Sequence, residues 1–280
     1  MYRNYVFDFY GTLADIRTDE DNPRLWEKMS EIYCAMGAEY SPYQLQRAFR
    51  GLERAEKERV ASCGIGDRGN AEKAFIGYCS MADGDDCSED RQGNTKNALR
   101  ELQENAEPDL ARVFSGLYHE KGVLCDTTQA KLTAITFRAL SREYLRVYDG
   151  VKELLEELRR RGKRVFLLSN AQADFTRPEI EMLGLTRYFD GIFLSSEQGC
   201  KKPSPMFFGK LLETYGLKPT ECIMIGNDEV ADIAGAKRVG MAALYIHTAI
   251  SPAEYGRVEA DSRVMEGDFR KVGGLILETD

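Results

Sequence analysis

Four groups of polar side chains in this sequence each follow an apolar segment with the composition of a β-strand. The first group is Asp8, which lies in the segment 5–13, where the strand-forming pattern stops at Gly11. A buried carboxylate is costly unless it is paired, hydrogen-bonded or bound to a metal. Ligands of open α/β sheets bind beyond the carboxyl ends of the strands. Asp8 is therefore a candidate nucleophile or metal ligand, and the alternative is a carboxylate that caps the next turn.

The second and third groups have the chemistry to bind an anion. Ser169 and Asn170 follow the apolar segment 164–168, and a hydroxyl beside the backbone amides that enter a helix suits a phosphate oxygen. Lys202, next to Lys201 and ahead of a helix, can pair with a carboxylate nucleophile and with a substrate oxyanion. The alternatives are a plain helix N-cap at Ser169 and two solvated surface lysines.

The fourth group contains Asp228 and Asp232 with Glu229 between them, directly after the apolar segment 221–225. Mg²⁺ binds to a few carboxylates together with waters and substrate phosphate, so this group is a candidate metal site. The alternative is a set of acidic first-turn residues that complement a helix dipole. Each group has an ordinary structural explanation, but four such groups at one edge of a sheet favour an active site.

The hydrophobic pattern of residues 150–246 predicts the elements that would position these groups. Strand-like and helix-like segments alternate there, which indicates an α/β fold with a mostly parallel sheet and helices on both faces. The first strand should join this sheet, because an isolated strand is not stable. The predicted strands after the first are 164–168, 191–194, 221–225 and 242–246, and the predicted helices are 150–161, 175–183, 203–215 and 230–239.

Residues 16–148 have a helical pattern and form a predicted insertion after the first strand. We therefore predict a Rossmann-like core domain of residues 1–15 and 149–280 and a helical cap domain of residues 16–148. Within the insertion the predicted helices are 23–37, 41–62, 71–81, 109–121 and 127–146. The predicted connections are a polar connector at 15–22, a loop at 64–70 and a mobile surface loop at 82–97.

Composition limits the classes of function that this chain can have. Its 280 residues carry a net charge of −8 and are 43% hydrophobic, which is typical of a globular protein and argues against broad nucleic-acid binding. No segment resembles a membrane span or a signal peptide. The seven cysteines include no CxxC pair, which favours reduced thiols, and two histidines exclude a histidine-rich metal site. We therefore expect a cytoplasmic monomer or homodimer that binds neither nucleic acid nor membranes.

The four groups, in this order, resemble the haloacid dehalogenase-like (HAD) hydrolase superfamily. The matching segments are DFYGTL from Asp8, LLSN ending at Asn170, KPSP from Lys202, and IGND with DIAGA between Ile225 and Ala236. The resemblance covers essentially the whole chain. It implies a Rossmann-like core with a helical cap inserted after the first strand.

The resemblance also implies roles for individual residues. Asp8 would attack the substrate and form a covalent aspartyl intermediate, and Lys202 would steady Asp8 and the developing charge. Substrate oxygens would be held by residues of the first three motifs, namely Thr12, Ser169, Asn170 and Lys202. Mg²⁺ would be bound by Asp8, the main-chain carbonyl of Tyr10 and a carboxylate of the fourth motif, Asp228 or Asp232. Many members carry an aspartate where this chain has Asn227.

The main departure from the family pattern is Tyr10. Phosphatases of this superfamily usually have a second aspartate two residues after the nucleophile, which protonates the leaving group and then activates water. Tyrosine, with an ordinary pKa near 10, can donate a proton but is a poor base at neutral pH. With Tyr10 we expect slow turnover, a substrate with a good leaving group or a different reaction.

Three functions remain open from the sequence. The first is a Mg²⁺-dependent phosphohydrolase that acts on a small phosphorylated molecule through an aspartyl-phosphate on Asp8, and we favour it because of the acidic fourth motif. The second is a 2-haloacid dehalogenase, which needs no metal and shares the Asp-x-Tyr-Gly-Thr pattern. Dehalogenases also use an arginine early in the cap, and neither Arg24, Arg47 nor Arg50 is an obvious match. The third is a binding protein without catalysis.

Overall fold

The structure is a computed structural model that describes residues 2–66, 100–101, 103–253, 256 and 258–277. The predicted helix 71–81 and the predicted surface loop 82–97 lie outside the described residues, as does most of the predicted loop 64–70. The strands are β1 (Asn4–Phe7), β2 (Ala14–Thr18), β3 (Arg142–Val147), β4 (Arg164–Ser169), β5 (Gly191–Leu194), β6 (Cys222–Gly226), β7 (Ala242–Ile246) and β8 (Ser262–Val264). The helices are α1 (Pro23–Ala35), α2 (Pro42–Gly66), α3 (Leu110–Glu120), α4 (Thr127–Ser141), α5 (Val151–Arg160), α6 (Ala173–Met182), α7 (Ser195–Gln198), α8 (Pro205–Tyr215), α9 (Gly235–Lys237) and α10 (Phe269–Leu277).

Six strands form one sheet in the order β5-β4-β1-β6-β7-β8, and every neighbouring pair is parallel. The first strand does join the sheet, between β4 and β6, as the sequence predicts. Because all strands run the same way, the residues that follow β1, β4 and β6 meet at one edge. This topology confirms the predicted α/β fold class.

Both faces of the sheet are covered, because side chains of each strand point alternately to opposite faces. On β1, Tyr5 and Phe7 belong to one apolar cluster and Val6 to the other. The first cluster includes buried residues of α5 and α10, and the second includes buried residues of α8. The strands are therefore nearly continuous apolar runs, which is typical of a parallel sheet with helices on both sides.

Helices α1 to α4 share a third apolar cluster, separate from the two that cover the sheet. Four aromatic rings form its centre, with centroid distances of 5.3–5.7 Å: Trp26, Phe49, Phe114 and Phe137. Asp109 and Asp126 accept hydrogen bonds from the first backbone amides of α3 and α4, which confirms both predicted helix starts.

A short antiparallel sheet of β2 and β3 connects the helices to the large sheet, and the sequence did not predict it. The predicted polar connector 15–22 is wrong for residues 15–18, since Ala14–Thr18 is a strand, and only residues 19–22 connect this strand to α1. The predicted helix 127–146 is also too long, because α4 ends at Ser141 and Arg142–Val147 is a strand. No glycine or proline marks that helix end, and the strand depends on pairing with residues far away in the sequence.

Other differences concern element ends. Helix α2 continues to Gly66, beyond the predicted end near residue 62 and into the predicted loop 64–70. The predicted helix 230–239 begins as a π-helical turn, Glu229–Ala234, because the backbone amides of Asp232 and Ile233 both bond to the carbonyl of Asp228. Strand β8 and helix α10 were not predicted. No helix among the described residues is long and apolar enough to cross a membrane.

Candidate active site

Asp8 lies directly after β1, and the residue is only 7% exposed. Two side chains donate hydrogen bonds to its Oδ1 atom: Ser169 Oγ, at the end of β4, at 3.1 Å and Lys202 Nζ, in the segment after α7, at 2.7 Å. The other oxygen, Oδ2, accepts a bond from Thr12 Oγ1 at 3.2 Å. The parallel sheet therefore brings the first three polar groups of the sequence into direct contact.

A tight turn after β1 brings Thr12 back to Asp8. The backbone amides of Thr12, Leu13 and Ala14 all donate to the carbonyl of Phe9, at 3.3, 2.8 and 2.9 Å. Gly11 has φ +85°, and a Cβ at this position would overlap the side chain of Asn227. The turn therefore requires glycine, because only a residue without a side chain tolerates both the backbone conformation and the neighbour.

Lys202 is almost completely buried, and all three of its ammonium protons are used. Besides Asp8, Nζ donates to Asp232 Oδ1 at 2.6 Å and to the Leu168 carbonyl at 2.9 Å. Burial alone would lower the pKa of Lys202, but the charges of Asp232 and Asp8 outweigh it and raise this pKa above its usual value. Lys202 therefore carries a permanent positive charge between two carboxylates.

Asp232 is buried and points toward Lys202. Its Oδ1 accepts from Lys202, and its Oδ2 accepts from the backbone amide of Asp228 at 2.9 Å. Burial raises the pKa of Asp232 above its usual range, and the Lys202 charge opposes this effect. A Cβ at Gly226 would overlap the Asp232 carboxylate, so a glycine at the end of β6 permits this close approach.

Asp228 caps the turn that follows β6 with one oxygen. Its Oδ1 accepts from the amides of Val230 and Ala231 at 2.8 and 2.9 Å. Asn227 lies beside Asp228 and is buried. The hydroxyl of Thr12, which donates to Asp8, also lies 3.1 Å from Asn227 Oδ1. Asp228 is therefore the carboxylate of the fourth motif with an oxygen, Oδ2, that accepts no hydrogen bond from a described residue.

The donor set at this edge suits a hard cation with few protein ligands. No group of three or more His, Cys, Asp or Glu side chains is placed to hold a metal ion in the part of the chain that the structure describes. Two carboxylates keep a lone pair free, at Oδ2 of Asp8 and Oδ2 of Asp228. Two carboxylates and a main-chain carbonyl, completed by waters and substrate, are a typical Mg²⁺ environment. Asp232 fits less well as a ligand, because both of its oxygens are already bonded.

Asn170, a predicted substrate-binding residue, uses both polar atoms of its side chain to bind the backbone of Lys202. Its Nδ2 donates to the carbonyl of Lys202 at 3.0 Å, and its Oδ1 accepts from the Lys202 amide at 2.8 Å. Lys201 is separate from this group, since its ammonium lies 3.6 Å from Glu107. Of the two adjacent lysines, only Lys202 reaches Asp8.

Tyr10 makes its polar contacts with α6. Its hydroxyl donates a hydrogen bond to Glu179 Oε2 and lies 3.0 Å from Thr176 Oγ1. Glu179 is buried and also pairs with Arg138 at 2.9 Å and Arg142 at 2.7 Å. Burial raises the pKa of Tyr10 beyond its ordinary value, and the Glu179 carboxylate adds to this effect. Tyr10 therefore keeps its proton at neutral pH.

A cleft of about 690 Å³ opens beside this group, between the sheet edge and the helices α2, α3 and α4. Tyr10 and Asn170 contribute to its wall from the sheet side. The guanidinium of Arg138 also faces the cleft and lies between the rings of Tyr10 and Phe175, 5.0 and 4.8 Å from their centroids. This cleft is large enough for a small organic molecule.

A comparison with known families decides the class of this protein. The family model described as haloacid dehalogenase-like hydrolase matches residues 2–240, which is most of the chain. The chain belongs to this family. The match confirms the predicted resemblance, and it makes the protein a hydrolase.

Individual relatives are similar to this chain in sequence over only part of its length. The chain is 31% identical to a phosphoserine phosphatase of Thermus thermophilus over 174 residues, which are 62% of this chain and 68% of that protein. It is 30% identical to a glyceraldehyde 3-phosphate phosphatase of Methanothermobacter thermautotrophicus over 128 residues, which are 46% of this chain and only 57% of that protein. A 2-haloacid dehalogenase of Pseudomonas syringae aligns over 100% of both chains with a TM-score of 0.54 and 17% identity, which shows a shared fold.

Sequence reasoning did not find the partners of Tyr10 in this hydrolase. Glu179 lies on the buried face of α6 with Phe175, Thr176 and Ile180. A glutamate on the apolar face of a short helix is an available signal, because a buried carboxylate requires a partner. The sequence gave no comparable signal for Arg138 and Arg142, since arginines near a helix C-terminus are common.

Proposed function

We propose that this hydrolase is a Mg²⁺-dependent phosphatase of small-molecule phosphate monoesters, with Asp8 as the nucleophile. The observation that carries the proposal is the environment of Asp8, a buried carboxylate held by Lys202, Ser169 and Thr12. These bonds orient the carboxylate beside the buried ammonium group of Lys202. Two relatives that are named as phosphatases support the hydrolysis of a phosphate ester.

In the proposed reaction an oxygen of Asp8 attacks phosphorus, and the bond between phosphorus and the ester oxygen breaks. The leaving alkoxide or phenoxide takes a proton from water, and a second water then hydrolyses the acyl phosphate to release phosphate and restore Asp8. Lys202 balances the negative charge that builds up on the transferring group. Ser169, with nearby backbone amides, binds the phosphoryl oxygens. Thr12 and Asn170 support the binding site, because Thr12 donates a hydrogen bond to Asp8 and Asn170 bonds to the backbone of Lys202.

The residues that would hold Mg²⁺ are Asp8, the main-chain carbonyl of Tyr10 and Asp228. When bound, the cation would supply electrostatic stabilisation of the phosphoryl charge. We place Asp232 beside these ligands as the partner that orients Lys202, because its oxygens are bonded to Lys202 and to the Asp228 amide.

We further propose that residues 16–148 act as a cap over a core formed by residues 1–15 and 149–280. The separate apolar cluster of helices α1 to α4 supports this division, and the cleft between the two parts is the proposed substrate site. The connection through β2 and β3 would let the helices shift relative to the sheet.

A second candidate is dehalogenation at carbon, in which Asp8 displaces halide. Tyr10 favours this candidate, because displacement of halide needs no acid at that position. Arg138 also places a guanidinium in the cleft, although it lies in α4 and not early in the helical insertion.

Two parallel assays would separate the candidates. Purified protein is incubated with 4-nitrophenyl phosphate, with and without Mg²⁺, and with 2-chloropropionate while chloride is measured. We expect phosphate release that requires Mg²⁺ and falls at least about a thousandfold in Asp8→Asn, since the nucleophile has no substitute. Circular dichroism of the variant controls for folding. Chloride release without metal would establish the dehalogenase instead, and silence in both assays would contradict the proposal.

A further inference from the structure

One face of α2 forms a basic wall of the cleft. Arg50, Arg54 and Lys57 are spaced by four and three residues, so they lie on the same side of the helix. All three line the same cleft as Tyr10 and Asn170. The proposed reaction uses none of them.

The cleft as a whole is basic, although the chain carries a net charge of −8. Its lining contains more cationic than anionic side chains. The cations are Arg50, Arg54, Lys57, Arg138 and Lys201, and the carboxylates are Glu20, Glu53 and Glu107. An excess of positive charge in the cleft of an acidic protein favours an anionic ligand.

Most of these cations already have partners. Arg50 pairs with Asp21 at 3.1 Å and with Glu53 at 3.5 Å. Glu179 holds Arg138, and Lys201 lies 3.6 Å from its carboxylate partner.

Arg54 and Lys57 differ from the other cations, because neither forms an ion pair with any residue that the structure describes. Burial raises the pKa of Glu107, which lines the same cleft, and the charges of Lys201 and, more weakly, of Lys57 oppose this effect. Among the described residues, Arg54 and Lys57 are therefore the cations of the cleft without a carboxylate partner, and they can bind an anionic ligand.

We propose that Arg54 and Lys57 bind a second anionic group of the substrate, a carboxylate or a further phosphate, while the phosphate ester meets Asp8. This inference rests on the proposed phosphatase function. A cleft of about 690 Å³ has room for a molecule with two charged ends. The substrate class is therefore a small phosphate monoester that bears another acidic group.

Matched pairs of substrates test the inference. Phosphoserine is compared with O-phosphoethanolamine, which lacks the carboxylate, and fructose 1,6-bisphosphate with fructose 6-phosphate, which lacks one phosphate. We expect the more acidic member of at least one pair to have a kcat/KM at least about tenfold higher, because hydrogen bonds to charged groups are strong. The pair that shows the preference identifies the second group as carboxylate or phosphate.

The double variant Arg54→Gln with Lys57→Gln should reduce that preference to near one. Arg47→Gln is the matched control, because Arg47 is an exposed cation on α2 that does not line the cleft, and the preference should remain. Equal kcat/KM within both pairs, or a preference that survives the double variant, would overturn this inference while phosphate release still supports the proposed function. No phosphate release from any substrate, including 4-nitrophenyl phosphate, would overturn both.

Discussion

Tyr10 occupies the position where phosphatases of this family usually have an acidic side chain, and its hydroxyl is bonded to Glu179. That bond directs the hydroxyl proton, the only ionisable proton of the side chain, toward α6. Since burial raises the pKa of Tyr10 above its usual value near 10, the proton stays in place throughout the neutral range. We infer that Tyr10 positions its neighbours and does not transfer protons.

Removal of the Tyr10 hydroxyl tests this inference. For Tyr10→Phe we expect the turnover of 4-nitrophenyl phosphate to fall far less than the roughly hundredfold that loss of a general acid brings. The pH dependence of kcat between pH 5 and 9 should match the wild type, because the raised pKa keeps Tyr10 protonated over that range. A large loss of kcat, with a changed basic limb of the profile, would assign proton transfer to Tyr10.

The identity of the leaving group should then control the rate. Without a residue to protonate the leaving oxygen, the departing group must be stable as an anion. We expect kcat/KM for 4-nitrophenyl phosphate to exceed that for phenyl phosphate strongly, and we expect the same ratio in Tyr10→Phe. Steady-state kinetics with a series of substituted phenyl phosphates measures this dependence. A rate that is independent of the leaving group would indicate another acid in the cleft.

At the scale of elements, Glu179 connects α6 to the helical insertion. Its carboxylate pairs with Arg138 near the end of α4 and with Arg142 at the start of β3. Glu179 and Arg138 are both nearly buried, so removal of one charge leaves the other without compensation.

The stability of the Glu179→Gln variant measures this connection. We expect the free energy of unfolding in urea to fall by roughly 3 kcal/mol, as is usual when one member of a buried ion pair is removed. Glu181→Gln is the matched control, because Glu181 is exposed on the same helix, and it should change stability by less than about 0.5 kcal/mol. Equal unfolding midpoints for the two variants would show that the buried pair contributes no net stability.

The same elements show what the sequence can and cannot predict. Local patterns located five of the six strands of the large sheet, the starts of α3 and α4, and the groups that meet at Asp8, because each depends on residues close in sequence. The strands β2 and β3 were missed because each becomes a strand only by pairing with the other. The partners of Tyr10 were missed for a similar reason, since α6 and α4 approach it only in the folded chain.

At the scale of the whole molecule, the site exists only when distant parts of the chain are folded together. Asp8 is 161 residues from Ser169 and 194 residues from Lys202 in the sequence. These residues carry charges or hydroxyls that lie at the ends of different strands. A ligand that binds to this edge therefore binds the folded chain and not the unfolded chain, so it must raise the stability of the whole protein.

Mg²⁺ is such a ligand in the proposed function, and thermal unfolding detects it without any assay of activity. We expect the unfolding temperature of the wild type to rise with Mg²⁺, and the stabilisation to approach about 2.7 kcal/mol when Mg²⁺ is at a hundred times its dissociation constant. The rise should be largely lost in Asp228→Asn. It should persist in Asp149→Asn, which removes one exposed carboxylate elsewhere on the surface.

Asp232→Asn separates the two carboxylates of the fourth motif in the same experiment. Because Asp232 pairs with Lys202, this variant should be less stable in the absence of metal. Measured from its own lower starting temperature, however, it should still respond to Mg²⁺, since both oxygens of Asp232 are bonded within the protein. A response that is lost in Asp232→Asn and kept in Asp228→Asn would reverse the assignment of the metal ligand, and no response in the wild type would remove Mg²⁺ from the proposal.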